Sequence, residues 1–415
     1  MRRCDTAGAR DRRCRARRGV KPARSVLAAY AALSGCYFAA IGLFNPYAPL
    51  WFQSLGMSTL AIGAIASLQA WTRVVAPYGW GWLGDHRGSR VGLIRLAAAG
   101  ALAAALGLVG VEGAVPIAVV TTLLFLANGG IPPLYEATLA QLLNTPGGVD
   151  PQRYGRVRMW GSVGFIVSVT GFGALLETVG IGVFPAFVAV MNAGLLAAAL
   201  RLPPSRDVIA HDEPAPPVLP LLRQPPVAWF FASMFFTVLA HTSLYSFFSL
   251  YLVALGYGKG MVGALWAVSV VVEIAFFALG GAWFGKYRPE SWLAAVGAVT
   301  TARFLLVAMA GAAGGGLWTL PLLVLSQLAH AITFAAHHTA CIQLVQRHFP
   351  GRLRGRGQAL YTVLGYGMSG VFGGLGGGWL IERSGFMALF GAAALAGLAA
   401  WGCARRAAST AADAA

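Results

Sequence analysis

Charge is what this sequence has least of. Its acidic residues number 14, and charged residues of both signs make up 11% of the chain, about half the share of an ordinary soluble protein. So few charged side chains cannot solvate the several globules that a length of 415 residues would otherwise suggest. Cysteine is scarce as well. Cys4, Cys14, Cys36, Cys341 and Cys403 are scattered and make no disulfide framework. A phosphate-cradling loop of the P-loop type is missing, which argues against ATP-driven transport. No metal-ligand or nucleophile cluster appears either: His337 and His338 are adjacent, point about 100° apart on a helix and have no acid in their span, which argues against an enzyme and a metal site. What the chain has in excess is apolar surface. A hydrophobic share of 57% excludes a disordered chain. The composition points to an all-α, polytopic membrane protein.

Apolar stretches of roughly 20 or more residues recur, each long enough to cross ~30 Å of hydrocarbon as a helix. They are expected near 27–52, 60–84, 91–111, 115–142, 157–177, 180–201, 226–255, 260–285, 291–312, 317–345, 357–381 and 385–404. That makes twelve transmembrane helices. The first is too long for a cleavable signal and lacks a small-residue cleavage site behind it.

Lys and Arg sort by side. Of 31, twenty-seven fall in the N-terminal tail, in alternate loops (Arg87, Arg90, Arg95; Arg153, Arg156, Arg158; Arg201, Arg206, Arg223; Lys286, Arg288; Arg347, Arg352, Arg354, Arg356) and at Arg405 and Arg406. The other side has Lys259 and Arg383, and Arg73 and Arg303 lie within spans. This bias places both termini in the cytoplasm, and the chain in a bacterial-type plasma (inner) membrane. The organisation expected is a basic tail at 1–25, a six-helix bundle at 26–201, a polar, Pro-rich cytoplasmic linker at 202–225, a second bundle at 226–405 and a short tail at 406–415. The basic tail reads as a positive-inside anchor that can touch anionic lipid. It lacks the interleaved aromatics of a nucleic-acid site.

The chain also repeats itself at an offset of 200 residues. Leu50, Leu55, Gly56, Gly63 and Ala64 recur as Leu250, Leu255, Gly256, Gly263 and Ala264, and Gly155-Arg156 as Gly355-Arg356. Two parallel-repeat bundles of this kind place a substrate site at their interface near the midplane.

Gly81-Trp-Leu-Gly-Asp-His-Arg-Gly-Ser-Arg90, after span two, resembles the major facilitator loop signature G-x-L-x-D-R-x-G-R-R, from which it departs at His86 and Ser89. Asn45-Pro-Tyr-Ala-Pro-Leu50, Tyr154 to Phe165 and His330 to His338 resemble the 3-phenylpropionate transporter group, which is related to lactose permease and nucleoside–proton symporters. The resemblance implies a monomeric, proton-coupled uptake transporter that needs no cofactor. Its partners would be a small solute, protons and the bilayer. An aromatic monocarboxylate leads as solute, followed by a sugar or nucleoside, then drug–proton efflux. A transporter-like sensor is the reading from a different class. The loop signature implies a cytoplasmic gate at Gly81 and Asp85.

Ionisable groups inside spans sharpen this. Arg73, Glu136, Glu273 and Arg303 each cost about 2.5–3.5 kcal/mol in lipid unless they are paired or face a polar cavity. Glu273 lies about 18 Å from the cytoplasmic end of span eight and Arg303 about 20 Å from that of span nine, so antiparallel neighbours carry opposite charges at equal depth. On span ten, α-helical spacing puts His330 and His337 on one stripe, with Gln327, Phe334 and His338 near it. In the related symporters an acid on span eight, an Arg on span nine and a His on span ten bind substrate and couple protons. The resemblance therefore gives Glu273, His330 and His338 to proton coupling, and Arg303 to the substrate. His337, which stands where the family usually has an aromatic residue, and Gln327 are expected at the substrate as well. Arg73 suits a carboxylate, and Tyr47 belongs to aromatic walls on spans one and seven. Glu136, behind Gly129, Gly130, Pro132 and Pro133, lies within reach of Arg156 or Arg158 as a gate. Gly370, Gly374 and Gly378 form a close-approach face on span eleven.

Overall fold

A computed structural model describes residues 23–87, 89–145, 148–204, 217–280 and 284–413. The expected lipid-facing tail, half of the central linker, Gly281 (which the 200-residue offset pairs with Gly81) and the side chain of Asp85 lie outside this set.

Because hydrocarbon offers no partner to a backbone N–H or C=O, apolar segments satisfy these groups internally as helices. Among the described residues eleven helical stretches are long and apolar enough to span a membrane. The helices of the first half are α1 (Arg24–Ser54), α2 (Thr59–Arg87), α3 (Arg90–Gly110), α4 (Ala114–Asn128), α5 (Ile131–Leu142), α6 (Pro151–Val179) and α7 (Phe184–Leu200). A two-residue β-ladder, β1 (Asn144–Thr145) with β2 (Gly148–Val149), turns the chain between α5 and α6. After a single turn, α8 (Leu219–Leu222), the second half comprises α9 (Pro225–Ala254), α10 (Lys259–Leu279), α11 (Pro289–Ala312), α12 (Thr319–Leu328), α13 (His337–His348), α14 (Arg354–Leu360) and α15 (Ser369–Asp413). Proline opens α6, α9 and α11, where its missing N–H costs nothing. Asp150 adds a cap on α6, accepting from the N–H groups of Gln152 and Arg153 at 3.1 Å each.

Three spans are interrupted. The expected loosening at Gly129-Gly130 separates α4 from α5. Two interruptions have no counterpart in the α-helical reading: π-helical segments at Ala331–Ala336, between α12 and α13, and at Tyr361–Met368, between α14 and α15. The final stretch, Arg354–Ala411, runs for 58 residues, several times what hydrocarbon requires. Gly385, at φ 77° and ψ 178°, breaks it into two helices.

The two halves meet along α2 against α15, α6 against α10 and α1 against α9. At the end away from the basic loops one hydrophobic core runs through both halves, with Phe44, Trp51 and Phe184 joined to Phe248, Tyr251 and Phe390. At the basic end each half has a core of its own, around Ile94, Leu134 and Leu139 in the first and Phe230, Leu344 and Phe349 in the second. The halves are therefore sealed at one end and separately packed at the other. The glycine face of α15 is what allows the seal. A Cβ on Gly374 would lie 2.4 Å from Ser67 Oγ and 2.6 Å from the Gly63 carbonyl, so the helix backbones touch directly.

Candidate functional site

A cavity of about 410 Å³ lies between the halves. The first half contributes Phe38, Phe44, Asn45, Gln69, Arg73 and Phe165, and the second Thr242, Tyr245, Trp266, Glu273, His330, Phe334 and Tyr366. Aromatic faces thus dominate, and the two wall groups of formal charge come from opposite halves. Among the described residues Arg73 has neither a hydrogen bond nor an ion pair to a protein group. Its guanidinium keeps all its donors for whatever enters.

Behind the second-half wall, Arg303 is fully buried. Its Nη1 lies 2.8 Å from Thr333 Oγ1, 3.0 Å from His330 Nδ1 and 3.2 Å from His241 Nε2, and Nη2 donates to Gln327 Oε1 at 3.3 Å. A guanidinium can only donate, so each histidine presents a lone pair to it, and the two hydrogens of Nη1 are shared among three acceptors. His241 Nδ1 lies 2.7 Å from the Thr237 carbonyl and must carry the proton that this bond requires. On His330 the acceptor is Nδ1, which leaves the ring proton on Nε2, 3.7 Å from Glu273 Oε2. A small rotation or one water closes that gap. Arg303 and Glu273 are therefore joined through the His330 ring. Among the described residues no direct ion pair links them.

The π segment at Ala331–Ala336 decides which residues of span ten share a face. Its i→i+5 bonding turns each residue through a smaller angle than an α-helix does. Instead of His330 with His337, the rings of His330, Phe334 and His338 stack in a column, with centroids 5.1 and 6.4 Å apart and planes within 13°. His337 turns away, its Nε2 3.3 Å from Cys341 Sγ. The second π segment brings Tyr361 and Tyr366 together. Their hydroxyls are 3.1 Å apart, and His338 Nδ1 is 2.9 Å from the Tyr361 hydroxyl. A hydrogen-bonded chain thus leads from the cavity wall at Tyr366 to His338.

The sequence profile of the MFS_1 like family matches residues 30–392. The chain belongs to the MFS_1 like family. It is a multi-pass membrane transporter and not an enzyme, and a transporter of this kind needs no cofactor. It is 27% identical to the probable 3-phenylpropionic acid transporter of Escherichia coli (strain K12) over 342 residues, 80% of this chain and 85% of that one. It is 28% identical to the maltose permease of Geobacillus stearothermophilus over 351 residues, 83% and 85% of the two chains. Among solved structures, a mutant form of the nucleoside transporter NupG superposes with a TM-score of 0.79 at 16% identity, covering 93% of this chain and 99% of that one. The POT family transporter PepTSo gives 0.76 at 13% identity, covering 94% and 99%. Both share the fold.

In this MFS_1 like transporter the expected site residues fall into separate groups. Arg73, Glu273 and His330 meet in the cavity. Arg303 and Gln327, expected at the substrate, stand one layer behind it, Arg303 holding His330 and Gln327 holding Arg303. His337 and Tyr47 do not line the cavity. Tyr47 is fully buried where the halves touch, donating its hydroxyl proton to the Val169 carbonyl at 2.6 Å. Glu136 pairs with Arg158 at 2.5 Å and accepts from the Tyr154 hydroxyl, all within the first half. Arg158 also lies 5.5 Å from the centroid of Phe38, a cavity residue. Arg156 is exposed, and Gly81 has open space around it. Two residues carry more than the sequence suggested. His241, visible only as one more histidine in a span, completes the Arg303 shell. Glu290, at the start of α11, is buried and pairs with Arg347 at 2.5 Å.

Proposed function

We propose that this chain imports a small organic carboxylate together with a proton, with an aromatic monocarboxylate such as 3-phenylpropionate first. The observation that carries the reading is the cavity itself. Arg73 stands free on one wall, Glu273 and His330 stand on the other, and aromatic rings lie between. The Arg fork matches a carboxylate's two oxygens, and the rings suit a phenyl group. The first named relative supports the same solute. The polar side chains Asn45, Gln69 and Ser246 in that cavity, together with the maltose permease relative, favour a sugar as the second reading.

Glu273 is the proton carrier in this proposal. The lone pairs of His241 Nε2 and His330 Nδ1 are taken up by Arg303, and neither nitrogen has room for a proton while the guanidinium donates to it. Glu273 has no hydrogen-bond partner among the described residues, its near neighbour being His330 Nε2 at 3.7 Å, and it shares the cavity with Arg73. His330 holds the carboxylate in place, and Tyr366, Tyr361 and His338 continue the polar path toward the basic end. By the positive-inside rule that end is cytoplasmic. Counting the two helices on either side of Gly385 separately gives twelve spans in two six-helix bundles, both termini inside, working as a monomer in a bacterial-type inner membrane. The conformation is sealed externally, and alternating access rocks one bundle against the other. Asp85 and Gly81 near the inner mouth, with Glu136, Arg156 and Arg158, keep their assignment to the inner gate.

Ligand-induced thermal shift of the purified protein tests the solute. A ligand at a hundred times its Kd adds about 2.7 kcal/mol to stability. The melting temperature should therefore rise with 3-phenylpropionate and stay unchanged with maltose or a nucleoside. A rise with maltose alone would replace the carboxylate reading with the sugar reading.

A further inference from the structure

We propose that Glu177 and Glu382 form a paired external gate, each closing the outer end by capping a helix that belongs to the opposite half. The first turn of a helix has N–H groups with no partner inside it, and its positive end favours a carboxylate. At the start of α10 the capping position is Gly258, which has no side chain to offer. Glu177, in the last turn of α6, supplies the missing acceptor. Its Oε2 takes the backbone N–H of Lys259 and, at 3.3 Å, that of Gly260. Gly258 is also what lets it approach, since a Cβ there would lie 2.6–2.9 Å from the carboxylate atoms.

The other half mirrors this. The first turn of α2 begins beyond Ser58, which covers only the Ala61 N–H, at 3.2 Å. Glu382, from α15, accepts the Leu60 N–H at 2.9 Å, and Thr59 Oγ1 donates to the Gly378 carbonyl at 3.1 Å. Residues 58–60 and 258–260 are equivalent under the 200-residue repeat. The two caps therefore close the α6–α10 and α2–α15 seams, which are the contacts that must part for the cavity to open outward. Neighbouring cations do not compete. Arg383 lies over the Trp379 ring, 5.4 Å from its centroid, and among the described residues Lys259 makes no ion pair. Both carboxylates are exposed, so neither is needed to fill the core.

Hydrogen–deuterium exchange on the full-length protein in nanodiscs tests the gate without any knowledge of the solute, so its failure is distinct from failure of the carboxylate reading. The segments read are 57–63, 257–263 and, at the inner end, α13. The variants are Glu177→Ala, Glu382→Ala, the double substitution and Gly258→Ala, which keeps both carboxylates but pushes Glu177 away. Because the halves open as units, Glu177→Ala and Gly258→Ala should each raise exchange in the distant segment 57–63 as well as in 257–263. The rise should be about fivefold per carboxylate, the size of one helix cap, with α13 unchanged. A variant that raises exchange only in its own segment would show a local cap and overturn the gate. A rise that extends to α13 would also overturn it, by making these carboxylates supports of the fold as a whole.

Discussion

Through Nη1 and Nη2 Arg303 holds four side chains of spans seven and ten, while its buried Nε has no partner among the described residues. Arg303 is committed to His241, His330, Thr333 and Gln327 behind the cavity wall, whereas Arg73 lines the cavity and, among the described residues, makes no hydrogen bond or ion pair. Arg73→Gln should raise the KM for a carboxylate solute about ten- to hundredfold, the worth of one charge-assisted hydrogen bond, and Arg73→Lys should recover part of it. Uptake kinetics check this, and an unchanged KM would move the carboxylate elsewhere. Glu273→Gln should abolish gradient-driven accumulation yet leave exchange of internal for external solute, because exchange need not release the proton. Normal accumulation in that variant would return the proton to a histidine. The charges themselves were legible in the sequence, since an ionisable group in a span demands an explanation. That Glu273 and Arg303 meet through an imidazole was not. Depth along two helices fixes height but not which side chain stands between them.

At the level of elements, the composition was sufficient to announce long apolar helices and the α4–α5 break, because apolar length and Gly/Pro pairs act locally. The π segments were hidden. The first packs against α10 and α11 and the second against α2 and α9, and the first changes the angular bookkeeping on which the His330–His337 stripe rested. The glycine face of α15 shows the opposite balance. Spacing of four residues announced a close approach, and only the fold named α2 as the partner. Gly374→Val should therefore fold but jam. Its side chain would be driven into Ser67 and the Gly63 backbone, which cannot yield, so the outer seam cannot close. Both accumulation and exchange should be lost while the protein still melts cooperatively. Retained exchange would show that α2 and α15 need not touch during transport.

For the whole molecule, the sign of the charges decides orientation and the core decides state. A reporter fused after Arg406 or within 202–225 should read cytoplasmic, and one near Lys259 external. An external C-terminus would undo the twelve-span count and the assignment of the sealed end. The repeat at one offset leaves identities such as Gly63 and Gly263 at corresponding contacts, Gly63 against Gly374 and Gly263 against Val169. The state was not legible, because sequence does not say whether Phe44 and Phe248 share one core or face each other across an opening. The shared core at one end and the separate cores at the other describe a transporter closed at the end away from the basic loops, with Glu273 and Arg73 held on opposite walls of its cavity. The central claim is that these two charges couple a carboxylate to a proton. Proteoliposomes holding only this protein, with an inward proton gradient and no ATP, measure it directly. Labelled 3-phenylpropionate should accumulate above its external concentration, and a protonophore should collapse the accumulation to equilibrium. Accumulation that survives the protonophore, or solute that only equilibrates with the gradient intact, would contradict the account.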